Sequence, residues 1–400
     1  MDERTKRLGR IAFNFSLAVA IGVLAAIVLR DRGGEPKGHA PIPQNKVDPP
    51  AEIAIRPAAL TGVDPADETP IAAPSFPEDP KPTPADPAPA PAPIPAATSS
   101  EKLRFREIWA YLMAGEESHW SDAAPITDLG LFDFSLDATA RLTGRANLKA
   151  IDRAKALGVR THLVLASSGN RSLLHLALSP RYGARQALLA ELAALPRRHP
   201  VDGVQLDIEG PRAEEREDYV SFVRELRAAL PEKSILSLAL PAKTRDAPAA
   251  IVYGDLAGLA DRFFIMVYDF HWKGGPPGPI SPLDWHDQVL ACAAKHLPAD
   301  RVVIGLPFYG RIWQREEVAR AVKHEGALRI AAEQSAGVRR DSSRTHSFTY
   351  KTEVTAEGWF EDAASLRAKL ESAKARGFTR VGFWRLGQED PKVWEILGRE

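Results

Sequence analysis

The sequence predicts an α/β protein: a closed (β/α)8 barrel of the TIM type with a small insertion after its seventh strand, preceded by a transmembrane helix and a proline-rich linker. Three observations lead there. Beyond Ser100, eight short apolar or alternating runs follow one another, at REIWAYLM (106), DLGLFDF (128), RTHLVLA (160), GVQLDIE (203), ILSLALP (235), FFIMVYD (263), RVVIGLP (301) and RVGFWRL (380). Between most of them lie stretches whose apolar residues recur at three- and four-residue spacing, such as RQALLAELAALPRR from Arg185 and REDYVSFVRELRAAL from Arg216. Strand and helix alternating in this way make parallel strands wrapped by crossover helices.

Composition narrows the function classes. The 400 residues are 44% hydrophobic, ample for a large core. Lys plus Arg equals Asp plus Glu at 52 each, so no basic field points to nucleic acid. Cys292 is the only cysteine, which removes an intramolecular disulfide and any Cys cluster for zinc or iron–sulfur chemistry.

Taken in order, residues 1–10 carry Arg4, Lys6, Arg7 and Arg10 and read as a basic segment left in the cytoplasm. Residues 11–29, IAFNFSLAVAIGVLAAIVL, form an apolar run of 19 residues broken only by Asn14 and Ser16, long enough to cross a bilayer. The run exceeds a signal-peptide core and ends in Leu29-Arg30, so it predicts an uncleaved single-pass anchor with an exported barrel. Residues 30–100 hold more than half of the 33 prolines and read as a disordered Pro/Ala-rich tether. The barrel occupies 101–400. One interval, about 312–358, breaks its rhythm with a helical EEVARAVKHEGALRIAAEQ and a strand-like HSFTYKTEV, which predicts the insertion.

The chemistry enters at VDGVQLDIEG, residues 201–210. Alternation puts Val204, Leu206 and Ile208 on one face of the strand and Gln205, Asp207 and Glu209 on the other. Two neighbouring acids cost desolvation and repulsion unless they are used, either in chemistry or to satisfy backbone N–H groups where the next helix begins. Three further strand ends carry an aromatic beside a polar group, IMVYDFHW, GLPFYGR and GFWRLGQED. Flat apolar faces with a few fixed polar groups suit a sugar pocket at the C-terminal mouth of the barrel.

These residues resemble glycoside hydrolase family 18, the chitinase-like barrels. Asp202, Gly203, Asp207 and Glu209 match its DGxDxDxE signature. Met266, Tyr268 and Asp269 match the strand-six Met-x-Tyr-Asp pattern, and Gly305, Pro307, Tyr309, Gly310 and Arg311 match the strand-seven pattern. Trp384 matches the strand-eight tryptophan, and the likeness runs from about Arg106 to Leu397. Gln205 departs from it, replacing the middle aspartate. Within the resemblance that aspartate bonds Asp207, and the glutamine is expected to donate to it in its place. The amide, the LPAKT after strand five and the compact insertion are similar to the bacterial branch of spore-cortex-lytic N-acetylglucosaminidases.

Two acids pointing the same way from one strand do not form the opposed pair of an ordinary retaining glycosidase, and family 18 instead uses the substrate's own 2-acetamido group. The resemblance therefore implies a hydrolase of β-linked N-acetylglucosamine glycans such as peptidoglycan or chitin. Glu209 is the expected acid/base, Asp207 steadies the acetamide nitrogen and Tyr268 its oxygen. Trp384 floors the sugar, Asp269 and Gln205 complete the polar shell, and His271 and Trp272 line the cleft. Structural roles are expected for Tyr309 and Arg311. No cofactor or metal is expected, since no HExxH or comparable ligand set is present. The partners expected are an N-acetylated glycan and, through residues 11–29, the membrane. A non-catalytic, lectin-like barrel is the alternative, and a scaffold that only holds a partner is a third reading.

Overall fold

The computed structural model describes residues 101–167, 171–245, 249–314, 319–351 and 355–400. Eight parallel strands form the barrel: β1 Glu107–Met113, β2 Asp128–Leu136, β3 Arg160–Ala166, β4 Gly203–Asp207, β5 Ile235–Pro241, β6 Arg262–Met266, β7 Val302–Pro307 and β8 Arg380–Trp384. Each pairs with its successor, and β1 closes the ring by pairing with both β8 and β2. All eight predicted strands are present. Helices are most regular after β3, β4, β6 and the insertion, at Gly183–Arg198, Arg216–Ala229, Leu283–His296 and Ala363–Ala375. After β1 there is only a 3-10 turn at Glu117–His119, and after β5 only the short helix Tyr253–Leu256.

Strand alternation sorts the side chains into two cores. Ile108, Leu129, Leu163, Leu206, Leu238, Ile265, Ile304 and Val381 point outward and bury against the helices. The inward set is built in layers. At the N-terminal end Glu107 gathers three arginines, Arg160 at 3.0 Å, Arg262 at 2.5 Å and Arg380 at 3.1 Å. Above them, Trp109 stacks on His162 at 4.2 Å between ring centroids. Tyr111 and Phe264 then fill the middle edge to face at 5.0 Å. These rings fit because Gly130, Gly305 and Gly382 face them: a Cβ on Gly130 would lie 2.4 Å from the Tyr111 ring, and one on Gly382 2.4 Å from Phe264.

Between β7 and β8 stands a five-stranded antiparallel sheet in the order Arg320–Lys323, Tyr309–Gln314, Thr355–Phe360, His346–Lys351, Arg339–Arg340. One face packs Ile312, Phe348, Ala356 and Phe360 against the helix His324–Glu333. The insertion thus begins a little earlier than predicted and includes a strand, Tyr309–Gln314, that follows β7 almost directly. The expected long helix from Glu316 is shorter: Arg320–Lys323 is a strand, because pairing with Tyr309–Ile312 overrides local helix preference.

The predicted membrane anchor at 11–29 and the tether at 30–100 lie outside the described residues. Among the described residues no helix is long and apolar enough to cross a membrane. The longest, Gly183–Arg198, has 16 residues, short of the ~20 a span needs. The expected single-pass membrane placement, and the membrane as a partner, are corrected accordingly and are not retained.

Candidate active site

The C-terminal mouth of the barrel is organised by β4. Its start is structural: the Asp202 carboxylate accepts the Thr161 N–H at 2.8 Å, tying β4 to β3. Gly203 leaves no room for a Cβ, which would sit 2.4 Å from the Ile235 carbonyl oxygen. From there Gln205 and Asp207 point into the barrel, and Glu209 follows at the rim. Ser167, just past β3, fixes that rim. Its N–H donates to the Asp207 carbonyl at 2.8 Å, and its Oγ accepts the Glu209 N–H at 2.8 Å.

Three other strand ends close around the acids. Tyr268 follows β6 and sets its ring edge to face on Tyr309, 6.3 Å between centroids. Asp269 has a left-handed φ of 60°, uncommon for a side chain with a Cβ. Its carboxylate is held there by Tyr309 Oη and Arg311 Nη2, each at 2.6 Å. Trp384 ends β8 and lies against Phe132 at 4.5 Å and Tyr111 at 5.5 Å. Glu209, Asp207, Tyr268, Asp269, Gln205 and Trp384 therefore converge from β4, β6 and β8. His271 and Trp272 stand on the loop that follows Asp269. His271 Nδ1 donates to the Pro279 carbonyl at 2.9 Å, stapling its own loop, and Trp272 is 54% exposed on that loop.

The electrostatics are unusual for carboxylates. Burial, and after it the Glu209 charge, pushes the Asp207 carboxyl up to about 8. Burial and then Asp269 also raise Glu209, although its outer edge is open to solvent. Tyr268 is held neutral far into alkali, by burial first and then by Tyr111, Asp207 and Glu209. Two protonatable acids beside a neutral phenol, over an indole floor, can deliver a proton to one oxygen and hold an amide alongside. Among the described residues no group of three or more His, Cys, Asp or Glu side chains is arranged to hold a metal ion.

The expected hydrogen bond from Gln205 to Asp207 is not made. Gln205 Oε1 accepts from Tyr111 Oη at 2.8 Å and its Nε2 donates to Ser237 Oγ at 3.2 Å. Asp207 Oδ1 is buried without a hydrogen-bond partner. The reason is positional, because the amide is turned toward β1 and β5, where two hydroxyls already offer a donor and an acceptor. Tyr111, Phe132, Ser167 and Ser237 escaped the sequence reading. Tyr111 and Phe132 sit inside ordinary apolar runs, where only knowledge of which face lines the barrel distinguishes them from core.

A family profile described as Glycosyl hydrolases family 18 matches residues 110–389. A cortical fragment-lytic enzyme from Bacillus anthracis is 30% identical over 207 residues, 48% of each chain. A protein of the same name from Bacillus subtilis is 27% identical over 296 residues, 69% of this chain and 68% of that one. Among solved structures, the Bacillus cereus spore cortex-lytic enzyme SleL superposes with a TM-score of 0.67 at 25% identity, over 74% of this chain and 75% of the other. The chain spans about half the length of the Bacillus anthracis relative.

Proposed function

The chain belongs to glycosyl hydrolases family 18, and on that premise we propose that it hydrolyses β-linked N-acetylglucosamine-containing glycans by substrate-assisted catalysis, with Glu209 as acid and base. The observation that carries the reading is the acid pair at the end of β4: Asp207 and Glu209, two residues apart and both shifted toward the protonated form, while the pocket's Asp269 from the end of β6 is engaged by Tyr309 and Arg311. A donor of that kind suits a reaction whose nucleophile is the substrate's own acetamide oxygen.

In the first step Glu209 gives its proton to the glycosidic oxygen while the acetamide oxygen bonds to the anomeric carbon. The aglycon leaves as an alcohol and a cyclic oxazolinium forms. Asp207 accepts the acetamide N–H through its carboxyl oxygen, the carboxylate left on Glu209 supplies the counter-charge to the oxazolinium, and Tyr268 Oη donates to the acetamide oxygen. Trp384 carries the apolar face of the sugar, and Asp269 and Gln205 complete the polar shell. In the second step Glu209 takes a proton from water, whose oxygen bonds to the anomeric carbon and reopens the ring, restoring the starting acid. The relatives' names, which speak of cortical fragments and spore cortex, put a cell-wall-type glycan such as peptidoglycan ahead of chitin as the first substrate to test.

The test is digestion of peptidoglycan, chitin oligosaccharides and poly-N-acetylglucosamine by the wild type and by Glu209→Gln, with products read by mass spectrometry. Cleavage of at least one glycan, reduced about a thousandfold in the variant at unchanged melting temperature, is expected. Saccharide binding by both proteins with no products would replace the hydrolase with the lectin-like reading.

A further inference from the structure

The insertion sheet buries one face on its helix; on the other, Trp313 is buried with Tyr309 and Ile280 and donates to the Gly275 carbonyl at 3.0 Å, and cover thins outward from there. On that second face the register places Arg311 beside Trp359, Trp359 beside Ser347, and Ser347 beside Arg339. The row starts at the candidate site, since Arg311 holds Asp269. It also shares that site's apolar surface, because Trp359 packs on the same cluster as Tyr268 and Trp384. Trp359 Nε1 donates to Glu357 at 2.5 Å, so its polar edge is occupied and its ring is what it can offer a ligand. Further out, Ser347 is half-buried and Arg339 is exposed. Successive strands are about 4.8 Å apart, so Arg339 stands roughly 10 Å beyond Trp359, away from the acids.

We propose that this row is a glycan-binding track, in which Trp359 stacks a sugar outside the cleaved linkage and Arg339 binds a carboxylate carried on the strand. The occupant is an N-acetylhexosamine polymer with acidic substituents, as opposed to a neutral one. The chemistry favours this because the track is continuous with the pocket, presents one flat apolar ring, and ends in a guanidinium suited to paired hydrogen bonds with a carboxylate. A neutral polymer would meet Trp359 equally well and gain nothing at Arg339. The inference deepens the proposed function by naming the substrate class, and it can be tested without cleavage.

The experiment measures binding by Glu209→Gln protein, which need not turn over, to two ligand series of matched length: chitin oligosaccharides, and peptide-free peptidoglycan strands bearing free lactyl carboxylates. Adding Arg339→Ala is expected to weaken binding of the carboxylated strands about fivefold and leave chitin oligosaccharides unchanged. Amidating the carboxylates should abolish that difference. Adding Trp359→Ala should weaken both series, and Trp359→Phe should restore part of the loss. Equal effects of Arg339→Ala on both series, or none on either, would overturn the track. Failure of the wild type to cleave, with the Arg339 discrimination intact, would overturn the hydrolase reading and keep the track.

Discussion

Asp207 and Gln205 define the chemistry at the residue scale, because one lacks a partner that the other gives elsewhere. The Asp207 pKa rises from its ordinary 3.8 to about 8, so the native state binds that proton more tightly than the unfolded chain does. The sign follows directly: no penalty exists below pH about 4, and stability falls as the pH climbs from there to about 8. Asp207→Asn should therefore stabilise the protein at pH 8–9 and not at pH 4; melting curves at the two pH values would show it, and an equal shift at both would refute it. Glu209 is raised by burial and then by Asp269. Removing that charge with Asp269→Asn should move the alkaline limb of the activity profile to lower pH, which a pH–kcat/KM series would read. Gln205→Leu should cost about 1–3 kcal/mol in denaturant titration, because it strands the buried hydroxyls of Tyr111 and Ser237.

Elements matter here through the space they leave. The inward glycines of β2, β7 and β8 look like weak points in strands, yet they admit the rings of Tyr111 and Phe264. Gly130→Ala should cost about 1–3 kcal/mol by overpacking. It should also lower kcat in the fraction that stays folded, since the displaced Tyr111 is the donor that holds Gln205; unchanged kcat with lowered stability would separate the two roles. The insertion sheet shows the converse. Its strand Arg320–Lys323 lay within a helix-like stretch, and only the long-range partner Tyr309–Ile312 made it a strand.

For the whole molecule, Glu107 is the closing device of the barrel. From β1 it reaches Arg160 of β3, Arg262 of β6 and Arg380 of β8. Burial alone would raise its pKa, but Arg262, Trp109 and Arg160 outweigh burial and hold it well below the usual carboxylate range. The stability it contributes is present above pH about 4.5 and is lost only as the pH falls through strong acid. Glu107→Ala should cost about 3–5 kcal/mol at neutral pH by leaving the largely buried Arg262 and Arg380 without their carboxylate, Arg160 keeping Asp128, which equilibrium unfolding would measure.

The sequence by itself determined the eight strands, their parallel order and the side of β4 on which Asp207 and Glu209 stand. Those follow from local periodicity, and a period of two admits only one assignment of faces once the apolar side is buried. It also placed Tyr268, Asp269 and Trp384 at strand ends. Only the tertiary structure decided that Gln205 turns to Tyr111 and Ser237 and away from Asp207, that His271 serves its own loop, and that Trp359 joins the mouth. Each of those outcomes depends on which residues from distant strands arrive within hydrogen-bond or packing distance. That is set by barrel closure and sheet register, neither of which is written in the local pattern of any one segment.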